Sequence, residues 1–295
     1  MPGEAEALLA AALWAVSTTI LTAEARSISP LLLNALRSLF AAVFVVVLIP
    51  FSGAAGQLGD MSAATAIAMV GSGILAMGIG DSLYFASLRL LGASLSVPIS
   101  SSVYPLLTFL IAALWLGESV SVQVLLGTAL IIAGVVLLLQ RRDGARSGAP
   151  DPSARPRLSS RRAGLVLVGA ATIFYALSTT WLRAGSGNLG PVAAGVLRIG
   201  ATAAFLLPAG RQLEKRKVTA RVLLGAAVAG VLGMGIGGLF YIAAVEQAGA
   251  GRTAILTSTM PLFSLPLAVL FLHERLTRRV ALGTAICILG IWLII

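Results

Sequence analysis

Apolar runs of membrane-spanning length, separated by glycine, proline and charge, recur ten times along the chain. A helix needs about 20 mostly apolar residues to cross roughly 30 Å of hydrocarbon. The runs predict helices over 5–21, 31–49, 62–90, 93–116 and 120–139, then over 163–182, 192–207, 222–247, 250–272 and 279–295. Between the fifth and sixth, residues 140–162 are rich in Arg, Pro, Ser and Gly, with too little apolar surface to order themselves. They read as a basic flexible linker.

The linker divides two copies of one unit. WAVSTT at 14–19 returns as YALSTT at 175–180, and GILAMGIGDSLYF at 73–85 returns as GVLGMGIGGLFYI at 230–242. Pro30 and Arg37 return as Pro191 and Arg198; Pro105, Glu118, Gly127 and Gly134 return as Pro261, Glu274, Gly283 and Gly290. Five helices is an odd number, so the copies enter the membrane from opposite sides. The fold class expected is therefore all-α integral membrane, built as two inverted five-helix repeats over 1–139 and 163–295. Such duplication is typical of secondary transporters, whose substrate site lies near the midplane between the copies.

Composition agrees with this reading and narrows it. Of the 295 residues 58% are hydrophobic and 11% charged, and mean hydropathy is +0.98. A soluble domain runs nearer 25% charged, so a soluble fold is excluded. A single cysteine, Cys287, rules out a disulfide scaffold. The net charge of +10 would suggest nucleic acid in a soluble protein, but here it marks a side of the bilayer. Seventeen of the 21 Lys and Arg residues fall in the loops after odd-numbered helices, among them Arg26, Arg89, Arg141, Arg142, Lys215 and Arg275. The positive-inside rule makes those loops cytoplasmic in a multi-pass plasma-membrane protein, with both termini outside. No nucleic-acid partner is expected; the bilayer and a small-molecule substrate are.

Each copy resembles an EamA domain of the drug/metabolite transporter superfamily. The likeness is carried by ISPLLLNALRSLFAA at 28–42 and by the stretch 84–138 with its repeat. Pro105…Gly117-Glu118…Gly127…Gly134 is similar to the family's P…LGE…G…G pattern, and the second copy departs from it with His273 before Glu274. The resemblance implies ten helices and export or exchange of small metabolites, amino acids or drugs. It more often places the termini in the cytoplasm, against the charge bias.

Ionisable groups inside a membrane are costly and mark function by default. Asp81 sits near mid-depth of the third helix, where the second copy has Gly238. It is the coupling candidate, a site for proton exchange or a counter-charge for an amine, with a hydrogen-bonded acid satisfied by Ser82 or a facing helix as the alternative. Arg37 and Arg198 read either as side chains that snorkel to the interface or as forks for a substrate carboxylate. Trp14, Ser17 and Thr18, with Tyr175, Ser178 and Thr179, place an aromatic ring and hydroxyls on matching helix turns. Asn34, Tyr84, Ser101 and Tyr104, then Tyr241 and Ser258, add polar groups along the same substrate pathway. Any single hydroxyl among them has the blander role of bonding its own helix or a neighbouring one.

The glycines at 71, 73, 78 and 80, and at 230, 233, 235 and 237, read as close-packing faces. Pro98, Pro105, Pro261 and Pro266 are expected to bend the fourth and ninth helices. Glu118 and Glu274 are expected to cap the helix that follows each. The sequence holds no metal-ligand cluster, no catalytic constellation and no nucleotide-binding motif, so neither a cofactor nor an enzyme is expected. The function read from these features is secondary transport by alternating access, by a monomer or homodimer. The alternative is a non-transporting structural protein or a subunit of a membrane complex.

Overall fold

The structure, a computed structural model, describes residues 2–24, 28–91, 93–118, 121–139, 158–209, 218–264 and 278–295. The expectations for the linker as far as residue 157, for Pro266, for His273 and Glu274 and for most of the basic loops fall outside them, whereas the last five linker residues, 158–162, are helical rather than flexible. The described residues form helices and no strand. In chain order these are α1 (Gly3–Glu24), α2 (Pro30–Val47), α3 (Ala63–Leu91), α4 (Ala93–Leu116) and α5 (Val122–Leu139). There follow α6 (Leu158–Gly185), α7 (Pro191–Leu206), α8 (Ala220–Ala248), α9 (Ala250–Thr257) and α10 (Arg278–Ile294). Among the described residues seven helices are long and apolar enough to cross a membrane, and two shorter apolar helices accompany them. Two short helical segments, Ile49–Ser52 and Ala54–Asp60, link α2 to α3.

Local chemistry sets the starts. Ser29, Ser62 and Thr219 accept from the backbone N–H three residues on, at the heads of α2, α3 and α8. Pro30 and Pro191 open α2 and α7, where a missing N–H costs nothing. The outward faces are apolar: Val46, Leu114, Trp115, Val166, Leu224 and Trp292 are all exposed. In water such a coat would be a liability; against lipid it is the required surface.

Helix α1 packs along α8 and α9, α6 packs along α3 and α4, and α2 lies against α7 and α8. Small residues permit these approaches. A Cβ added at Gly127 would lie 2.8 Å from the Gly290 carbonyl oxygen, and one at Gly290 would lie 2.8 Å from the Gly127 carbonyl oxygen. Helices α5 and α10 therefore meet backbone to backbone.

Three departures from the sequence reading are physical. The third and eighth helices are not plain α-helices: each carries a π-helical turn, Ile74–Gly80 in α3 and Gly230–Gly237 in α8. The turns coincide with the glycine-rich repeats. Glycine gives little support to regular α geometry, and wide turns are common at functional positions. The bend expected near Pro261 is a break at Ser258–Thr259, whereas α4 runs on through Pro105. Finally, Glu118 caps a helix of the other copy. Its Oε1 accepts from the Ala250 N–H at 2.7 Å and its Oε2 from the Gly251 N–H at 3.0 Å, at the head of α9. The helix after Glu118, α5, is capped instead by Ser121, which accepts from the Val124 N–H.

The same end of the bundle is closed by polar contacts. Glu4 pairs with Arg252 at 3.4 Å, Gln247 donates to Glu6 at 2.8 Å, and Arg183 donates to the Glu246 carbonyl at 3.0 Å.

Candidate functional site

The polar groups predicted from sequence fall into two connected sets in the middle of the bundle. The first centres on Asp81, which follows the π-turn of α3. Its Oδ2 pairs with the Arg37 guanidinium from α2, and its Oδ1 accepts from the Tyr175 hydroxyl of α6 at 2.7 Å. Arg37 also donates from Nε to Asn34 Oδ1 at 2.9 Å and stacks over the Phe85 ring at 5.2 Å. Asn34 is buried and donates to the Met77 carbonyl inside the π-turn. Arg37 thus spans from α2 to α3 as an ion pair, and its snorkelling to the interface is overturned. Of the partners expected for Asp81 as a hydrogen-bonded acid, facing helices supply Arg37 and Tyr175, whereas Ser82 bonds the Gly78 carbonyl.

The second set is aromatic and hydroxylic. Tyr104 from α4, Thr179 from α6 and Tyr241 from α8 close a triangle: 3.2 Å from Tyr104 to Thr179, 3.1 Å from Tyr104 to Tyr241, and 2.6 Å from Thr179 to Tyr241. Tyr104 and Tyr175 stand edge to face at 6.0 Å, which joins the triangle to Asp81. Tyr84 flanks Tyr175 at 6.5 Å, and Trp14 flanks Tyr241 at 5.2 Å.

Arg198 lies deeper than Arg37, at 3% exposure. Its Nη1 donates to Ser72 Oγ, and its Nη2 to Ser178 Oγ at 3.5 Å. Here too snorkelling is overturned, because hydroxyls from α3 and α6 hold the guanidinium inside.

Other predicted residues bond backbone carbonyls. Ser17 donates to the Ala229 carbonyl at 2.9 Å, and Trp14 donates from Nε1 to the Gly233 carbonyl at 3.0 Å. On the facing side Ser178 donates to the Ser72 carbonyl at 2.6 Å. Each acceptor lies at or beside a π-turn, where the i+4 pattern of backbone donors gives way to i+5. Ser258 donates to the Ile255 carbonyl at the α9 break. Thr18 stands on an exposed face of α1, and Ser101 is half-buried on α4 one turn before Tyr104.

Sequence reasoning missed Ser72 and Phe85. Ser72 has Ala229 as its repeat counterpart, so no repeat signal marked it. Phe85 looked like one more apolar residue in an apolar run.

Residues 1–140 and 162–295 each match the EamA-like transporter family. The chain belongs to that family. It is 24% identical over 288 residues to an uncharacterized transporter of Archaeoglobus fulgidus, covering 98% of this chain and 96% of the relative. It is 24% identical over 193 residues to the uncharacterized transporter YvbV of Bacillus subtilis, covering 64% of this chain and 59% of that one. A solved crystal structure shares the fold, with a TM-score of 0.79 and 19% identity over 99% of this chain and 95% of its own. The EamA-type chain is accordingly a multi-pass membrane transporter and not an enzyme.

Proposed function

We propose that this EamA-type chain is a secondary carrier of small metabolites that works by alternating access between two inverted five-helix halves. Ten spans, as read from the apolar runs, belong to this reading. The observation that carries this reading is the polar girdle itself: charged, phenolic and hydroxyl groups from α2, α3, α4, α6, α7 and α8 meet in the centre of an apolar bundle. A structural protein has no need to bury them, and burial is costly. Reciprocal packing supports the inversion. A Cβ at Gly73 would strike the Arg198 backbone, and one at Gly230 would strike the Arg37 backbone.

In this reading the basic odd-numbered loops face the cytoplasm, the membrane is the plasma membrane, and export is the physiological direction. The contacts of Glu4, Glu6, Arg183 and Arg252 then seal the outer end of a state closed on that side.

Asp81 is the proton-coupling acid. Arg37 and Tyr175 are its partners and Tyr84 stands beside them. Taking up a proton cancels the charge that holds Arg37, which frees α2 to shift against α3. The test is flux in proteoliposomes of the full chain, across a panel of amino acids and cationic drugs, with and without a pH gradient. Asp81→Asn is expected to abolish the response to the gradient while the protein still inserts and folds. Full gradient-dependent transport by Asp81→Asn would remove Asp81 from coupling.

A further inference from the structure

The two halves place an arginine in matching positions and then treat it differently. Arg37 is compensated within its own half, by the Asp81 carboxylate and the Asn34 carbonyl. The positions corresponding to these two partners in the second half are Gly238 and Gly195. Arg198 has therefore lost both polar neighbours. It is nine-tenths buried and more, and its bonds run to Ser72 and Ser178. Among the described residues no carboxylate pairs with it. Hydroxyls accept its N–H groups but bring no charge, and a buried cation without a counter-charge is strongly disfavoured.

We propose, building on the carrier reading above, that the substrate supplies the missing anion: the solute carried is a small organic acid whose carboxylate docks on Arg198. Ser178, which accepts from the guanidinium, is followed on α6 by Thr179, and Thr179 is bonded to the Tyr104 and Tyr241 phenols. The two phenols offer hydroxyl donors for the remaining carboxylate lone pairs, while the Thr179 hydroxyl donates to the Tyr175 carbonyl. A planar fork matches a carboxylate in two-point fashion. One arginine balances one carboxylate; a phosphate ester would bring surplus negative charge into the same dry centre. The first half keeps its acid for coupling, and the second half has surrendered its own to leave a receptor.

Room for the missing acid remains. A Cβ built at Gly238 meets only the Ile199 Cδ1 within 4 Å, at 3.9 Å. Gly238→Asp can thus place a fixed carboxylate on the α7-facing side, in the position Asp81 holds toward α2. It should compete with the substrate from within the protein. Gly238→Asn has nearly the same shape and no charge.

The experiment measures uptake by proteoliposomes of benzoate, phenylalanine and lactate, each beside its amide (benzamide, phenylalaninamide, lactamide), with phenyl phosphate as a further anion. Wild type is expected to move at least one acid ten-fold faster than its amide. Gly238→Asp is expected to lower that flux at least ten-fold while Gly238→Asn keeps it within about two-fold. Thermal unfolding in detergent gives a second readout, with Gly238→Asp melting above Gly238→Asn because it pairs with Arg198. Equal flux and equal melting of the two variants would overturn the proposal. So would wild-type flux confined to amides or cations, or to phenyl phosphate, and in those cases the carrier reading stands. No flux of any solute by inserted wild type would sink the carrier reading itself, and this proposal with it.

Discussion

Arg37→Met is expected to destabilise the protein by about 3–5 kcal/mol, because it leaves a carboxylate buried without its cation. Asp81 would keep only the Tyr175 hydroxyl. The bond from Arg37 to Asn34 and the stacking over Phe85 would be lost with it. The ion pair itself adds little net stability, since its attraction is largely offset by the desolvation of both groups. That asymmetry gives the prediction a second part: the double variant Arg37→Met/Asp81→Leu should recover most of the loss. Thermal unfolding of the purified protein in detergent measures both. A single variant that melts with wild type, or a double variant no better than the single, would show that the pair does not carry a buried charge.

Gly230→Ala and Gly73→Ala are the second large effect. The added Cβ would strike the Arg37 carbonyl oxygen in one case and that of Arg198 in the other. The obstacle is backbone and cannot turn aside as a side-chain tip would, so α2 must move from α8, or α7 from α3. Overpacking of this kind costs about 1–3 kcal/mol. The displaced segment also carries an arginine of the girdle, so transport should fall further than stability. Gly169→Ala is the control, because a Cβ there meets nothing within 4 Å; its effect should stay within about 0.5 kcal/mol. Melting curves and proteoliposome flux of the three variants decide it. Gly230→Ala behaving like Gly169→Ala would mean the helices are not held at this distance.

What could be read from the chain alone was the part governed by periodicity and by rarity. Most helix positions followed from apolar runs, with ends shifted by a few residues where caps such as Ser62 and Thr219 intervene. Asp81, Arg37 and Arg198 were conspicuous because charge is scarce in an apolar span. Their partners were not legible. Arg37 and Asp81 are 44 residues apart, and depth along a helix says nothing of which neighbour faces it, so snorkelling seemed the natural fate. The same blindness applied to Glu118, whose target at Ala250 lies 132 residues away. The π-turns escaped because glycine-rich sequence fits close packing equally well. Only in three dimensions do Ser17, Trp14 and Ser178 emerge as donors to carbonyls at those turns. That Gly195 and Gly238 stand where the first half has Asn34 and Asp81 could be seen in the repeat. It gained meaning only once Arg198 was found buried beside hydroxyls.

The central claim is that the girdle between the halves opens to each side of the membrane in turn. Thr179, at 2% exposure and bonded to both Tyr104 and Tyr241, sits at its centre. The direct measurement is labelling of Thr179→Cys by a membrane-impermeant thiol reagent, in vesicles of known orientation and in a Cys287→Ala background free of other thiols. Alternating access predicts reaction when the reagent is applied from either side, and protection by a transported solute. A cysteine that stays unreactive from both sides would mean a bundle packed dry through its middle, and a structural protein in place of a carrier.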